Sequence, residues 1–250
     1  MTDNPWIRCP KPRPDARVRL FCIPHAGGGA ATFRLWQDQL PGDVEVRAIQ
    51  LPGRENRLLE KPFTEVETIV EELSLLIRPD LDRTYAVFGH SMGALIAFEL
   101  IRQLRLHGAE LPEVLLASGY RAPQVRLPGA PIHLLPNSEF LEEVQRRYDA
   151  VPREALENAE LMELLLPTLR ADIAVCDSYV YRDDDPLPLP IVALGGEHDG
   201  QVGVRDLEAW KEQTSGSFGV QQFPGDHFYL QTAQEALLAR VSAELAKAGG

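Results

Sequence analysis

Basic residues are scarce in this sequence, and their scarcity limits the partners that the protein can bind. Lysine and arginine number 25 against 37 aspartates and glutamates, which gives a formal net charge of −12. Nucleic acids and anionic membranes attract proteins through a positive field, which this composition does not provide. We therefore expect neither a nucleic-acid partner nor a membrane partner.

The sequence also lacks the features of exported, membrane-spanning and metal-binding proteins. No signal peptide is visible at the start, and no apolar run approaches the ~20 residues of a membrane span. The three cysteines, Cys9, Cys22 and Cys176, are scattered and do not suggest a disulfide framework. No H-E-x-x-H motif occurs, so we expect no metal site. Together these absences predict a cytoplasmic protein.

What the sequence contains is a regular alternation of strand and helix patterns. Apolar runs typical of buried strands cover Val18–Ile23, Val44–Leu51, Tyr85–Phe88, Val114–Ser118, Ile191–Leu194 and Phe218–Phe223. Helical periods occur at Thr32–Leu40, Val66–Ile77, Val204–Gln213, after Ser91, and from Thr232 to about Ala246. The alternation predicts one α/β domain, in which helices cover both faces of a mostly parallel sheet and an extended arm precedes it.

The alternation is interrupted between about residues 120 and 189. Helical patterns occur there at Ser138–Tyr148, Ala155–Leu166 and Thr168–Tyr181, without a convincing strand. We interpret this stretch as a helical lid inserted over the carboxyl edge of the sheet, where ligands bind in open α/β sheets. Pro167 is expected to bend or stop the helix that contains it.

A serine lies where a predicted strand passes directly into a predicted helix. The segment Gly89-His90-Ser91-Met92-Gly93 follows the Tyr85–Phe88 run and precedes an apolar helix. On so sharp a turn the serine backbone is strained, and its hydroxyl projects next to a helix N-terminus that favours negative charge. The G-x-S-x-G string alone arises by chance in roughly one in ten chains of this length. The flanking strand and helix make Ser91 the candidate nucleophile.

A serine nucleophile needs a base and a group that orients this base. Among six histidines, His227 follows the last predicted strand and returns to the edge that holds Ser91, whereas His90 is interpreted as structural. Asp199 follows the Ile191 strand and is the candidate acid, with Glu197 as its rival. Taken singly, Asp199 is also explained as a turn residue and His227 as a hydrogen-bonded loop histidine. The chain order Ser91, Asp199, His227 favours catalysis, because this architecture uses that order.

Backbone N–H donors for a developing oxyanion are expected at two places. One is Met92, directly after the nucleophile. The other is the glycine-rich loop Pro24–Gly29 after the Val18–Ile23 strand, with Ala26 as the best candidate. A glycine-rich loop after a strand also suits phosphate, but neither G-x-G-x-x-G nor Gly-Lys-Ser/Thr follows here. The oxyanion interpretation is therefore favoured.

Taken together, these segments resemble the type II thioesterases of the α/β-hydrolase superfamily, the stand-alone class that serves polyketide and nonribosomal peptide synthases. The resemblance runs from about Leu20 to Leu230 and rests on Pro24–Gly28, Gln50–Glu55, Gly89–Gly93, Leu164–Asp172, Gly195–Asp199 and Gly225–Phe228. It implies an α/β-hydrolase fold and hydrolysis of acyl groups from the phosphopantetheine arm of carrier proteins, through an acyl-serine intermediate. It implies no cofactor, and we expect a monomer. His25 stands where the family often has an aromatic residue, and we assign it no catalytic role.

The resemblance also implies candidate substrate contacts. The lid would form the acyl chamber, with Met162 and Leu165 among its apolar residues, although packing of the lid onto the sheet is the alternative role. Arg54 and Arg57 are candidates for the phosphate of the arm or for an acidic carrier, with an internal salt bridge as the alternative. A basic patch for docking a carrier would draw on Arg121, Arg126, Arg146 and Arg147.

Other functions remain open at this point. A medium-chain acyl thioesterase of fatty-acid synthesis or a carboxylesterase would use the same three side chains. A product-releasing or cyclising domain would also use them. A catalytically inactive carrier-binding module is the alternative from a different class, and the intact set of Ser91, Asp199 and His227 argues against it.

Overall fold

The computed structural model describes residues 4–126, 129–148 and 158–248, and a seven-stranded sheet runs through their centre. The strands are β1 Ile7–Arg8, β2 Val18–Ile23, β3 Val44–Ile49, β4 Tyr85–His90, β5 Leu115–Ser118, β6 Ile191–Gly196 and β7 Phe218–Phe223. Their spatial order is β1-β3-β2-β4-β5-β6-β7. Strand β1 is antiparallel to β3 and all other pairs are parallel. The predicted mostly parallel sheet is confirmed.

Helices cover both faces of this sheet. They are α1 Trp36–Gln39, α2 Val66–Ile77, α3 Met92–Leu106, α4 Asn137–Tyr148, α5 Ala159–Ser178, α6 Val204–Glu208, α7 Tyr229–Thr232 and α8 Gln234–Leu245. One hydrophobic core joins α2 and α3 to the sheet, and a second core joins α1 and α8 to the opposite face. Strands β2, β4 and β6 are buried along their whole length, because side chains on both faces meet helices. No helix in the described ranges has the length and apolar content to cross a membrane.

Several element boundaries differ from those predicted. The N-terminal arm contributes β1, in which Ile7 pairs with Ile49 at the sheet edge. The predicted helix Thr32–Leu40 is instead a 3-10 turn at Ala30–Phe33 followed by the single turn α1. The predicted last helix is divided at Ala233 into α7 and α8. Strand β1 has two residues and the 3-10 turn, α1 and α7 have four each, so tertiary contacts decide their conformation more than their own propensity does.

The insertion between β5 and β6 contains α4 and α5 in its described part, with only an isolated bridge from Leu187 to Thr214 as β structure. The predicted helix Ala155–Leu166 begins outside the described residues, and its described part is continuous with the next predicted helix.

Pro167 therefore lies inside α5: of the two expected effects, a stop of the helix is wrong, and a bend stays a prediction. Proline removes one N–H and frees the carbonyl four residues earlier. Both Pro167 and Glu163 are exposed, so water can bind the freed carbonyl. The buried residues that follow Pro167 hold the helix in place.

Candidate active site

Ser91 occupies the sharp turn between β4 and α3. Its φ of 55° lies in the left-handed region that side chains rarely adopt, so the backbone here is strained as the sequence predicts. The flanking glycines are required by space: a side chain at Gly89 would collide with the Gly93 carbonyl, and one at Gly93 with the Ile23 carbonyl. The Ser91 N–H donates to the Ser118 carbonyl at 2.7 Å, which fixes the turn against β5.

The structure brings Ser91, His227 and Asp199 into a continuous hydrogen-bonded chain. The Ser91 Oγ lies 2.9 Å from the His227 Nε2, and the His227 Nδ1 lies 2.7 Å from the Asp199 Oδ2. The Asp199 side chain is fully buried and that of His227 is 6% exposed. With Nδ1–H donating to Asp199, the free lone pair of Nε2 can accept the serine proton. The arrangement can thus produce an activated hydroxyl.

Asp199 is held in place by the turn that follows β6. Its Oδ1 accepts hydrogen bonds from the N–H groups of Gln201 at 2.9 Å and Val202 at 3.2 Å. The end of β6 meets the His227 turn closely, since a side chain at Gly196 would collide with the Asp226 carbonyl. Glu197, the rival acid, is exposed and makes no side-chain contact with His227 among the described residues.

Of the two predicted oxyanion donors, Ala26 lines the same cavity as Ser91, and Met92 follows Ser91 directly in the chain. Met92 is the first residue of α3, so its N–H has no partner within the helix. The N–H of Ala26 makes no hydrogen bond to any other described residue, and Ala26 lines a cavity together with Ser91. The neighbouring Gly27 has a φ of 76° and donates its N–H to the Asp172 Oδ2 at 2.7 Å. The loop is thereby anchored while the Ala26 amide stays available.

A second buried chain of polar groups lies behind these residues. The His90 Nδ1 is 2.8 Å from the Ser118 Oγ, which is 2.5 Å from the Tyr229 hydroxyl. Burial, with smaller contributions from the charges of His227 and His25, holds the pKa of His90 well below its usual range. His90 is therefore neutral, which agrees with its structural interpretation. The chain joins the strand before Ser91 to the turn after His227.

Two neighbouring cavities lie at this site. The smaller, of about 30 Å³, is lined by Ser91, His227, Arg121, Tyr148 and Cys176, among others. The larger, of about 570 Å³, is lined by Arg54 and by two apolar residues of α5, Met162 and Leu165. Both cavities share His25, Ala26, Leu169 and Phe228 in their walls. Met162 is 8% exposed and packs in the insertion core, whereas Leu165 is 37% exposed.

Most of the arginines that were candidates for contacts with the substrate or the carrier form ion pairs within the protein. Arg54 forms a bidentate ion pair with Asp172 at 2.7 and 2.8 Å and also donates to the Gly28 carbonyl, so the internal salt bridge is the alternative that the structure contains. Arg57 pairs with Glu60, and Arg146 and Arg147 both pair with Glu143. Arg126 is exposed and Arg121 is buried. The charge of Arg54 is thus already neutralised.

Three polar residues of the site were given no role by the sequence analysis: Asp172, Ser118 and Tyr229. Asp172 belongs to a segment on which the family resemblance rests, which is the signal that pointed to it. Ser118 ends an apolar strand and Tyr229 begins a helix, and neither carries a motif. Across the described ranges, no cluster of three or more histidine, cysteine, aspartate or glutamate side chains is arranged to bind a metal ion.

Comparisons with known proteins agree with this geometry. A family model described as "Thioesterase domain" matches residues 18–245. The gramicidin S biosynthesis protein GrsT of Aneurinibacillus migulanus is 45% identical over 235 residues, which are 94% of this chain and 91% of that protein. The medium-chain S-acyl fatty acid synthase thioesterase of Rattus norvegicus is 32% identical over 234 residues, 90% and 86% of the two chains. The structure of the type II thioesterase BorB from the borrelidin biosynthetic cluster matches with a TM-score of 0.86 and 34% identity over 98% of both chains.

Proposed function

Because this chain belongs to the thioesterase family, we propose that it removes acyl groups from the phosphopantetheine arm of carrier proteins and so clears blocked units from a nonribosomal peptide or polyketide synthase. The chain is a thioester hydrolase of the serine-hydrolase type. The observation that carries the proposal is the hydrogen-bonded series Ser91–His227–Asp199 at the wall of a small cavity.

In this proposal the reaction has two halves. His227 accepts the proton of Ser91 as its Oγ attacks the thioester carbonyl, and the N–H groups of Ala26 and Met92 bind the oxyanion. The C–S bond then breaks, and the leaving thiolate takes the proton from His227. Water next attacks the acyl-serine with His227 again as base, which releases the carboxylic acid and restores Ser91. Asp199 orients the imidazole and stabilises its protonated form.

The cavities suggest where each part of the substrate binds. The smaller cavity contacts Ser91 and would take the acyl group, and the larger would take the arm. At ~10–15 Å³ for each water, about 30 Å³ admits two or three waters. Helices α4 and α5 would act as the lid that forms the wall of the acyl cavity. Short acyl groups are therefore the expected substrates. The alternative is a medium-chain thioesterase, whose acyl group would need a larger cavity beside Ser91.

The test is a panel of acylated carrier proteins followed by mass spectrometry with and without the enzyme. We expect loss of short acyl groups, and a decrease in turnover of at least about 10³-fold in Ser91→Ala and His227→Ala. His107→Ala is the matched control, because His107 is exposed at the end of α3. Faster removal of medium-chain acyl groups than of acetyl or propionyl groups from the carrier proteins would favour the medium-chain thioesterase.

Unchanged carriers in every reaction would reject hydrolysis on carrier proteins. If Ser91→Ala retained the full effect on product formation by the synthase, the protein would instead be a carrier-binding module.

A further inference from the structure

Side chains from the segment after β3 cap the end of the oxyanion loop, as we call the glycine-rich stretch Pro24–Gly29. The loop leads into the 3-10 turn Ala30–Phe33, whose first N–H groups have no partner within the turn. Gly29 stands at the capping position and has no side chain to bind them. The caps come instead from Gln50 and Glu55, which lie 20 and 24 positions from the residues that they bind.

Gln50 joins the two segments through one buried amide. Its Oε1 accepts the N–H of Ala30 at 2.7 Å, and its Nε2 donates to the Arg54 carbonyl at 3.1 Å. Gln50 is fully buried, so the loss of either bond would leave a polar group without a partner and without water. The segment after β3 and the residues that follow the oxyanion loop are therefore fixed to each other.

Glu55 makes the adjacent contact from a strained backbone. Its Oε1 accepts the N–H of Ala31 at 3.0 Å, and a side chain at Gly29 would collide with its carboxylate. Its φ is 49°, and among the described residues Ser91 is the only other non-glycine residue with a positive φ. Glycine adopts this conformation at lower cost. The strain therefore indicates that the side chain of Glu55 has a role that glycine could not fill.

The oxyanion loop is held from α5 as well as from the segment after β3. Asp172 accepts the N–H of Gly27, directly after Ala26, whereas Gln50 and Glu55 bind the residues that follow the loop. Ala26 thus lies between the buried strand β2 and three anchored amides. A donor that is fixed before the reaction stabilises developing charge best, because it needs no reorganisation when that charge appears.

We infer that Glu55 is a positioning residue for the oxyanion donor Ala26, and that its strained backbone is retained for this role. The inference rests on the proposed function, because Ala26 acts as a donor only in the acyl-transfer steps described there. The competing role for Glu55 is contact with the substrate arm, since Glu55 and Gly29 both line the larger cavity. A positioning residue changes kcat, whereas a contact made equally with bound substrate and transition state changes KM.

The test measures kcat and KM for butyryl-pantetheine and also observes an oxyanion directly. A trifluoromethyl ketone, in which the ketone carbonyl replaces the thioester, forms a hemiketal with Ser91. The pKa of this hemiketal, followed by fluorine NMR, reports the donors that bind its oxygen. Removal of a donor costs on the order of 10²–10³ in turnover, so a displaced donor should cost about 10-fold. We therefore expect Glu55→Ala to lower kcat about 10-fold, with KM within about threefold, and to raise the hemiketal pKa by about one.

Three further variants separate positioning from stability. Glu55→Gln keeps an acceptor oxygen for Ala31 and should retain kcat within about threefold. Glu55→Gly relieves the backbone but removes the acceptor, so it should be at least as stable to heat as Glu55→Ala and still lose the same activity. Glu72→Ala is the matched control, because Glu72 is exposed on α2 and its replacement should change neither kcat nor the hemiketal pKa.

An unchanged hemiketal pKa in Glu55→Ala would overturn the inference. A rise in KM with kcat unchanged would also overturn it and would assign Glu55 to the substrate arm. A loss in Glu55→Gln as large as in Glu55→Ala would do the same, because the acceptor oxygen is kept there. If the unaltered enzyme forms the hemiketal but hydrolyses no acylated carrier protein, the proposed function is rejected, and the hemiketal titration still decides the role of Glu55.

Discussion

Replacing Asp172 should show how strongly the insertion helix is coupled to the loop of the active site. The Asp172 Oδ2 accepts the N–H of Gly27 and a guanidinium N–H of Arg54, both at 2.7 Å, and its Oδ1 accepts a second N–H of Arg54 at 2.8 Å. The two side chains are 2% and 6% exposed. Asp172→Ala therefore leaves Arg54 buried with its charge uncompensated and frees Gly27, next to the predicted oxyanion donor Ala26.

The expected loss of stability follows from the burial of the ion pair between Arg54 and Asp172. Removing one partner of a buried ion pair costs about 3–5 kcal/mol. In a domain of this length each kcal/mol lowers the melting temperature by about 2–4 °C. Asp172→Ala should therefore lower the melting temperature by roughly 6–20 °C, and kcat should decrease because the oxyanion loop loses its anchor.

A double-mutant cycle measured by urea denaturation separates the interaction energy of Arg54 and Asp172 from the other effects of each substitution on stability. Asp172→Ala, Arg54→Met and the double variant are compared, and the double variant should be more stable than the sum of the single losses by at least about 2 kcal/mol. Glu163→Ala is the matched control, because Glu163 is an exposed acid on the same helix and should change stability by less than about 0.5 kcal/mol. Additive losses, or a loss in Asp172→Ala no larger than in Glu163→Ala, would refute the reasoning.

Two further predictions concern buried polar side chains behind the site. Tyr229→Phe removes the hydroxyl that lies 2.5 Å from the buried Ser118 Oγ, and should cost about 1–3 kcal/mol of unfolding free energy in urea; an unchanged midpoint would mean that the buried chain does not hold the His227 turn. Burial, followed by the charges of His227 and Arg54, lowers the pKa of His25 to about 4. As the pH falls, His25 therefore takes up a proton in the unfolded state before it does so in the folded state. The free energy of unfolding should consequently decrease as the pH falls from about 6.5 towards 4. His25→Gln should reduce that decrease by up to about 3 kcal/mol in urea titrations across this range, whereas an identical pH profile would contradict the assignment.

Most of the central sheet could be predicted from the sequence, because strands β2, β4, β5 and β6 are buried on both faces and therefore form continuous apolar runs. Val18–Ile23 and Phe218–Phe223 have the predicted bounds, and the other parallel strands differ by a few residues at their ends. The strands in turn locate the candidate catalytic residues, because Ser91, Asp199 and His227 each come after the carboxyl end of a strand. Parallel strands place those ends at one edge of the sheet.

The contacts that complete the site could not be predicted in the same way. Arg54 and Asp172 are separated by 118 positions, and an ion pair leaves no periodic pattern in either segment. Strand β1 has two residues, too few for a recognisable alternation. Pro167 is a reliable helix breaker in general, but its effect depends on whether the freed carbonyl reaches water, which the local sequence does not specify.

Helix α5 connects these contacts, and Pro167 lies between two parts of it with different surroundings. After Pro167 the helix is largely buried: Leu169, Ile173 and Cys176 line the small cavity, and Asp172 binds the Gly27 amide. Before Pro167 it exposes leucines, of which Leu165 lines the larger cavity. We therefore expect a substitution in the second half to alter both the small cavity, which is proposed for the acyl group, and the loop that contains Ala26, because this half of the helix contacts both. A substitution in the first half alters the larger cavity while the ion pair with Arg54 stays in place.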